Sequence, residues 1–191
     1  EIMPSLVGSE MCIRDRCLFF ASCEETKESG KFDNWHARNE GFIDSLRTVF
    51  ENKTDPRLDT IRPLTNPGIM VYYKDITPEG DDIKNEIPLY TSSVSVFFRG
   101  SYITGEIFEE NFKGKDPTSF DSPLTKTVSE VVWFEALQHM KVGQRWLIYI
   151  PWQMQPNNTG KSDYIPAGSS VKVPGYTTLV YDLQLLSIVD K

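Results

Sequence analysis

The sequence predicts an α+β fold: a curved antiparallel β-sheet wrapped around one short helix, with a helical extension before it. Three observations lead there. Several segments alternate apolar and polar residues with the period of a strand. A single apolar stripe at helical spacing interrupts them, formed by Val132, Trp133, Ala136, Leu137 and Met140. A second helical pattern stands ahead of all the strands, in residues 33–52.

In chain order, residues 1–23 do not read as fold. Glu10-Met11-Cys12-Ile13-Arg14-Asp15 resembles the translation of a sequencing-library adapter. Cys17-Leu18-Phe19-Phe20-Ala21-Ser22-Cys23 resembles the end of a bacterial lipoprotein signal, with small residues before a Cys that accepts lipid. Cys23 is therefore the expected lipidation site, and a membrane the expected partner through that anchor. Residues 24–67 are read as a polar tether, a helix and a loop. Within them Trp35, Phe42, Ile43, Leu46, Val49 and Phe50 recur at three and four, and Asp33 is placed as the N-cap. Residues 54–67 hold three prolines and few apolar residues, so they are expected to be loop.

The remaining domain is set at 68–191. Strands are expected at 68–74, at Ser93–Ile103, at 106–108, at Arg145–Ile150 and at Thr177–Val189. The last places Leu179, Tyr181, Leu183 and Leu185 on one face. Gly143 stands where the helix of residues 132–140 would be capped.

Composition narrows the function. With 20 basic and 27 acidic residues the net charge is −7, which argues against nucleic acid as a partner. All three cysteines lie in the first 23 residues, and the two histidines, His36 and His139, are far apart. No metal site and no cofactor are expected from such spacing.

Four blocks in order then resemble the FKBP-type peptidyl-prolyl cis-trans isomerases. The family's V-x-V-x-Y-x-G and following G-x-x-F-D correspond to Val94–Gly100 and Gly105–Glu109. Its G-W-x-E-A-L-x-x-M-x-x-G corresponds to Val132–Gly143, its strand ending in I-P to Trp146–Pro151, and its closing I-P-x-x-x-T-L-V-F-D-V-E-L-L to Val173–Leu186. The resemblance covers residues 68–189. It implies a catalytic cleft with Trp133 as floor, Phe98, Phe108 and Tyr181 as walls, and Glu109 near the substrate carbonyl. Val131 and Val173 would contact the substrate. Phe98 lacks the hydroxyl of the family's Tyr, which Tyr164, in an insertion after Pro151, is expected to supply.

The implied activity is prolyl isomerisation assisting protein folding in the bacterial cell envelope. Proline-containing polypeptides would be the partners, and macrolide-type molecules the inhibitors. Departures from the family at Phe98, Glu109, Val132 and residues 152–172 leave two alternatives open: a non-catalytic binding or chaperone module, and a structural surface lipoprotein.

Overall fold

The structure is a computed structural model that describes residues 30–155, 160–166 and 169–189. Cys23 and the other residues ahead of residue 30 lie outside that range. From Phe32 onward the described chain forms one compact unit. Its elements are helix α1 (Trp35–Glu51), strands β1 (Leu58–Ile61), β2 (Val71–Asp75), β3 (Ser93–Ser101), β4 (Ile107–Glu110) and β5 (Leu124–Thr127), the one-turn helix α2 (Phe134–Leu137), and strands β6 (Arg145–Ile150) and β7 (Leu179–Ile188). All strand pairs are antiparallel, in the order β1-β2-β6-β7-β3-β4, with β5 also on β3. This is the expected α+β architecture.

The two longest strands, β3 and β7, pair along most of their length and carry the core. Leu179, Tyr181, Leu183 and Leu185 alternate inward from β7, each almost wholly buried, as the period of a strand requires. Val94, Val96 and Phe98 do the same from β3, and Trp133, Leu137 and Met140 close over them. α2 is shorter than its apolar stripe suggests. Hydrogen bonding after Leu137 passes into turns, and Gly143 takes φ 97°. A Cβ there would stand 2.5 Å from the carbonyl oxygen of Asp82, so both conformation and space require glycine.

The helical extension is part of the unit. Leu46, Phe42, Ile43, Val49 and Phe50 of α1 pack on Leu58, Tyr72, Tyr149 and Val180, forming a second apolar cluster on the outer face of the sheet. Hydrogen bonds from two buried side chains, Asn39 and Trp35, fix the helix in place. The Asn39 side chain donates to the carbonyl of Trp35 at 2.8 Å and accepts the backbone N–H of Thr178 at 2.7 Å. The Trp35 indole N–H donates to the Thr178 neighbour, Thr177, at 2.8 Å. Thr177 and Thr178 are therefore held by the helix rather than by the ladder, and β7 starts at Leu179.

Two expectations are corrected. Residues 54–67 are not all loop: β1 lies within them, flanked by the prolines and paired with β2. The helix is not capped by Asp33. Asn34 precedes it in the left-handed conformation, and no side-chain oxygen of that residue bonds the first turn.

Candidate functional site

Across β7, β3 and β4 the register aligns Tyr181 with Gly100 and Gly100 with Glu109. Gly100 has no side chain, so the residues on either side meet over it. The Tyr181 hydroxyl donates a hydrogen bond to a Glu109 carboxylate oxygen. The register of β3 and β4 shifts between Gly100 and Ser101, leaving Phe108 as an extra residue on β4. Such a bulge turns sequence neighbours to the same side. Phe108 stacks edge-on against Tyr181 with ring centroids 5.9 Å apart, while Glu109 reaches the Tyr181 hydroxyl. A Cβ on Gly100 would lie 2.7 Å from the Phe108 ring and 3.0 Å from the Tyr181 ring.

A cleft of about 300 Å³ opens beside this crossing. Trp133 forms its floor at the entry to α2, and its ring lies 6.1 Å from that of Phe98. Tyr181, Glu109, Val131 and Val132 complete the inner wall, Leu124, Lys126 and Glu130 form one rim, and Gln155, Tyr164, Ile165 and Pro166 form the other. The insertion after Pro151 therefore borders the cleft. It is pinned by reciprocal backbone hydrogen bonds between Tyr164 and Val173, at 2.9 and 2.8 Å. The Gln155 side chain also donates to the carbonyl of Thr177 at 2.8 Å.

Burial sets the electrostatics of the wall. Loss of water around Glu109 raises its pKa above the ordinary carboxylate range, and the Tyr181 hydroxyl offsets this in part. Tyr181 itself is held far above the usual phenol range, first by burial and then by the neighbouring carboxylate. Burial also raises Tyr164, with the charge of Glu109 adding to it. Tyr164 and Tyr181 therefore stay protonated near neutrality. Among the described residues no group of His, Cys, Asp or Glu could hold a metal ion.

Of the residues singled out in the sequence, Phe98, Glu109, Val131, Trp133, Tyr164 and Tyr181 converge on the cleft. Phe108 and Val173 do not line it. The bulge turns Phe108 beneath Gly100 into the core, and Val173 is wholly buried behind Tyr164. The hydroxyl missing at Phe98 reappears on Tyr181, not on Tyr164, as the donor to Glu109. Lys126 and Leu124 were not anticipated. Their signal was the alternation in Leu124-Thr125-Lys126-Thr127, too short to stand out beside Pro123.

Comparisons with known proteins agree with this geometry. A family model described as FKBP-type peptidyl-prolyl cis-trans isomerase matches residues 84–186, more than half of the chain. The FKBP-type 22 kDa peptidyl-prolyl cis-trans isomerase of Escherichia coli (strain K12) is 30% identical over 103 residues, covering 54% of this chain and 44% of that protein. The outer membrane protein MIP of Legionella longbeachae is 28% identical over 131 residues, covering 65% of this chain and 48% of that one. The chain thus spans less than half the length of these relatives. The crystal structure of FkpA from Escherichia coli superposes with a TM-score of 0.55 at 24% identity, over 81% of this chain and 61% of that one, a likeness of fold. By the match of the family model over more than half of its length, this chain belongs to the FKBP-type peptidyl-prolyl cis-trans isomerase family.

Proposed function

We propose that the cleft catalyses cis-trans isomerisation of X-Pro bonds in polypeptides. The observation that carries this reading is the cleft floored by Trp133 and walled by Phe98 and Tyr181, with room for a proline ring. The reaction needs no nucleophile, metal or proton relay. Rotation about the bond has a barrier of roughly 18–20 kcal/mol because planarity is held by resonance. The twisted amide loses that resonance, and its carbonyl is less dipolar. An apolar wall therefore disfavours the planar form more than the twisted one, which is differential binding applied to a rotation. In this reading Trp133, Phe98 and Tyr181 contact the proline. Val131 lies along the chain beside it, and Glu109 and Tyr164 face the substrate carbonyl. Phe108 and Val173 act from behind, by holding Tyr181 and Tyr164. The same surface would accept macrolide-type inhibitors.

The test is a proline-peptide exchange assay on the purified protein. Acceleration above background is expected, and Trp133→Ala should lower kcat/KM by about tenfold or more, since it removes the floor on which the twisted bond rests. A folded protein that binds the peptide without accelerating exchange would leave a binding or chaperone module in place of the enzyme.

We infer further that the protein works at the bacterial cell envelope, on a lipid anchor at Cys23. The support is the Ala21-Ser22-Cys23 pattern and the envelope protein named among the relatives. Loss of the protein from the membrane fraction on Cys23→Ser is the expected result, and unchanged fractionation would exclude the anchor.

A further inference from the structure

β5 carries a row of backbone groups that the sheet does not use. Its register with β3 places Thr127 opposite Ser93, Lys126 opposite Val94, Thr125 opposite Ser95 and Leu124 opposite Val96. The Val128 N–H donates to the carbonyl of Ser92 at 2.9 Å, one step beyond the end of this register. In an antiparallel ladder, directly opposed residues alternate between bonded and non-bonded pairs. Residues 128, 126 and 124 therefore bond towards β3. The N–H and C=O of Thr125 and the N–H of Thr127 point the other way, away from the sheet, while the Thr127 C=O opens the single helical turn Val128–Glu130. Among the described residues no strand pairs with that side of β5. Thr125 is exposed and Thr127 half-buried.

This edge is continuous with the cleft. Leu124 and Lys126, the alternate residues of the same strand, line it, and the chain then runs through Glu130 and Val131 to the Trp133 floor. A polypeptide whose proline sits on Trp133 must leave the cleft as extended chain, because the residue before a proline is held in the extended region. The Lys126 ammonium, half-buried on the rim and in no ion pair among the described residues, favours an uncharged or acidic chain beside it.

We propose that the outward edge of β5 is a strand-pairing site, at which the extended segment flanking the target proline bonds to the backbone of Thr125 and Thr127. The occupant is the substrate polypeptide itself. Main-chain pairing supplies affinity without sequence preference, as in other cases of strand addition to a sheet edge. The proposal rests on the isomerase reading of the cleft and extends it from the bond being turned to the chain that carries it.

The test compares two substrates on the full chain. One is a tetrapeptide with a central Phe-Pro bond, and the other holds the same core extended on both sides. Thr125→Pro removes one outward N–H and leaves the β3 ladder intact, since edge strands tolerate proline where the N–H faces solvent. The expected result is a drop of about fivefold in kcat/KM for the extended peptide, the worth of one net hydrogen bond. The tetrapeptide should be turned over unchanged. Thr125→Ala, which keeps the N–H, should behave as wild type on both. Equal loss on both peptides, or no loss on either, would overturn the proposal. Should Thr125→Pro fail to fold, amide exchange on the wild-type protein decides. Slowed exchange at Thr125 and Thr127 on adding the extended peptide supports the site, and unchanged exchange removes it. Protection that grows with protein concentration alone would assign the edge to a second copy and also overturn the proposal. Failure of the isomerase reading is distinct, because the wild-type protein would then fail on the tetrapeptide itself.

Discussion

Replacing Tyr181 by Phe deletes one oxygen from the wall of the cleft and keeps the ring. The Tyr181 side chain is almost wholly buried, so no water replaces the lost donor. Its hydroxyl donates to Glu109, whose carboxylate already suffers from burial. A hydrogen bond to a charged group contributes about 1.5–3 kcal/mol, against about 0.5–1.5 kcal/mol between neutral groups. The variant should therefore lose about 2 kcal/mol where Glu109 is ionised and about 1 kcal/mol in acid, where it is protonated. For a unit of this size 2 kcal/mol lowers the melting temperature by about 4–8 °C. The sign follows from linkage. The hydroxyl holds the Glu109 pKa down, so its removal raises that pKa further, and the added penalty appears only where the wild-type carboxylate is ionised. Thermal melts of both proteins at pH 4 and pH 7 measure the difference. A Tyr181→Phe penalty that is the same at both pH values would refute a charge-assisted bond between Tyr181 and Glu109.

Three further perturbations address the site and its support. Glu109→Gln keeps an acceptor for Tyr181 and removes the charge. Glu109 has a raised pKa, so the stability it contributes is full below the unfolded carboxylate value and lost as pH rises through the folded one. The variant should therefore melt higher than wild type at pH 7 and lose the decline with pH; a lower melting temperature at pH 7 would contradict this. Gly100→Ala drives a methyl into the Phe108 and Tyr181 rings and should destabilise by about 1–3 kcal/mol while lowering activity, read by denaturant melts and peptide exchange. Asn39→Ala orphans the buried Thr178 N–H and should cost about 2–3 kcal/mol in a urea titration with the residues lining the cleft unchanged.

Much of the fold is legible in the residues because the two long strands obey one rule for their whole length. β7 alternates inward from Leu179 to Leu185, and no other period accommodates it. β1 and β5 escaped for a shared reason. Each is four residues long, and prolines stand nearby, so the local pattern is too brief to outweigh turn chemistry. Tertiary pairing on β2 and β3 decides both. The site divides in the same way. Trp133, Phe98 and Tyr181 can be placed by motif, since Phe98 and Tyr181 fall on the long strands and Trp133 stands at the entry to α2. The partnership of Tyr181 with Glu109 depends on the register of three strands and on a bulge, and neither is encoded locally. Phe108 shows the same limit: one extra residue on β4 decides whether it faces the cleft or the core.

The attachment of α1 to Thr178 bears on where this protein can be cut. The family model's match begins at residue 84, yet β1 and β2 lie before it in the same sheet, with α1 packed on its outer face. A fragment started at that boundary would strip the partner strand from β6 and uncover Tyr149 and Val180. It would also free the donor that Asn39 receives. What remains would be a sheet with a raw apolar flank and an unpaired rim, the combination that drives chains to stick to one another. The segment that the family model matches and the segment that melts as one piece therefore have different first residues here.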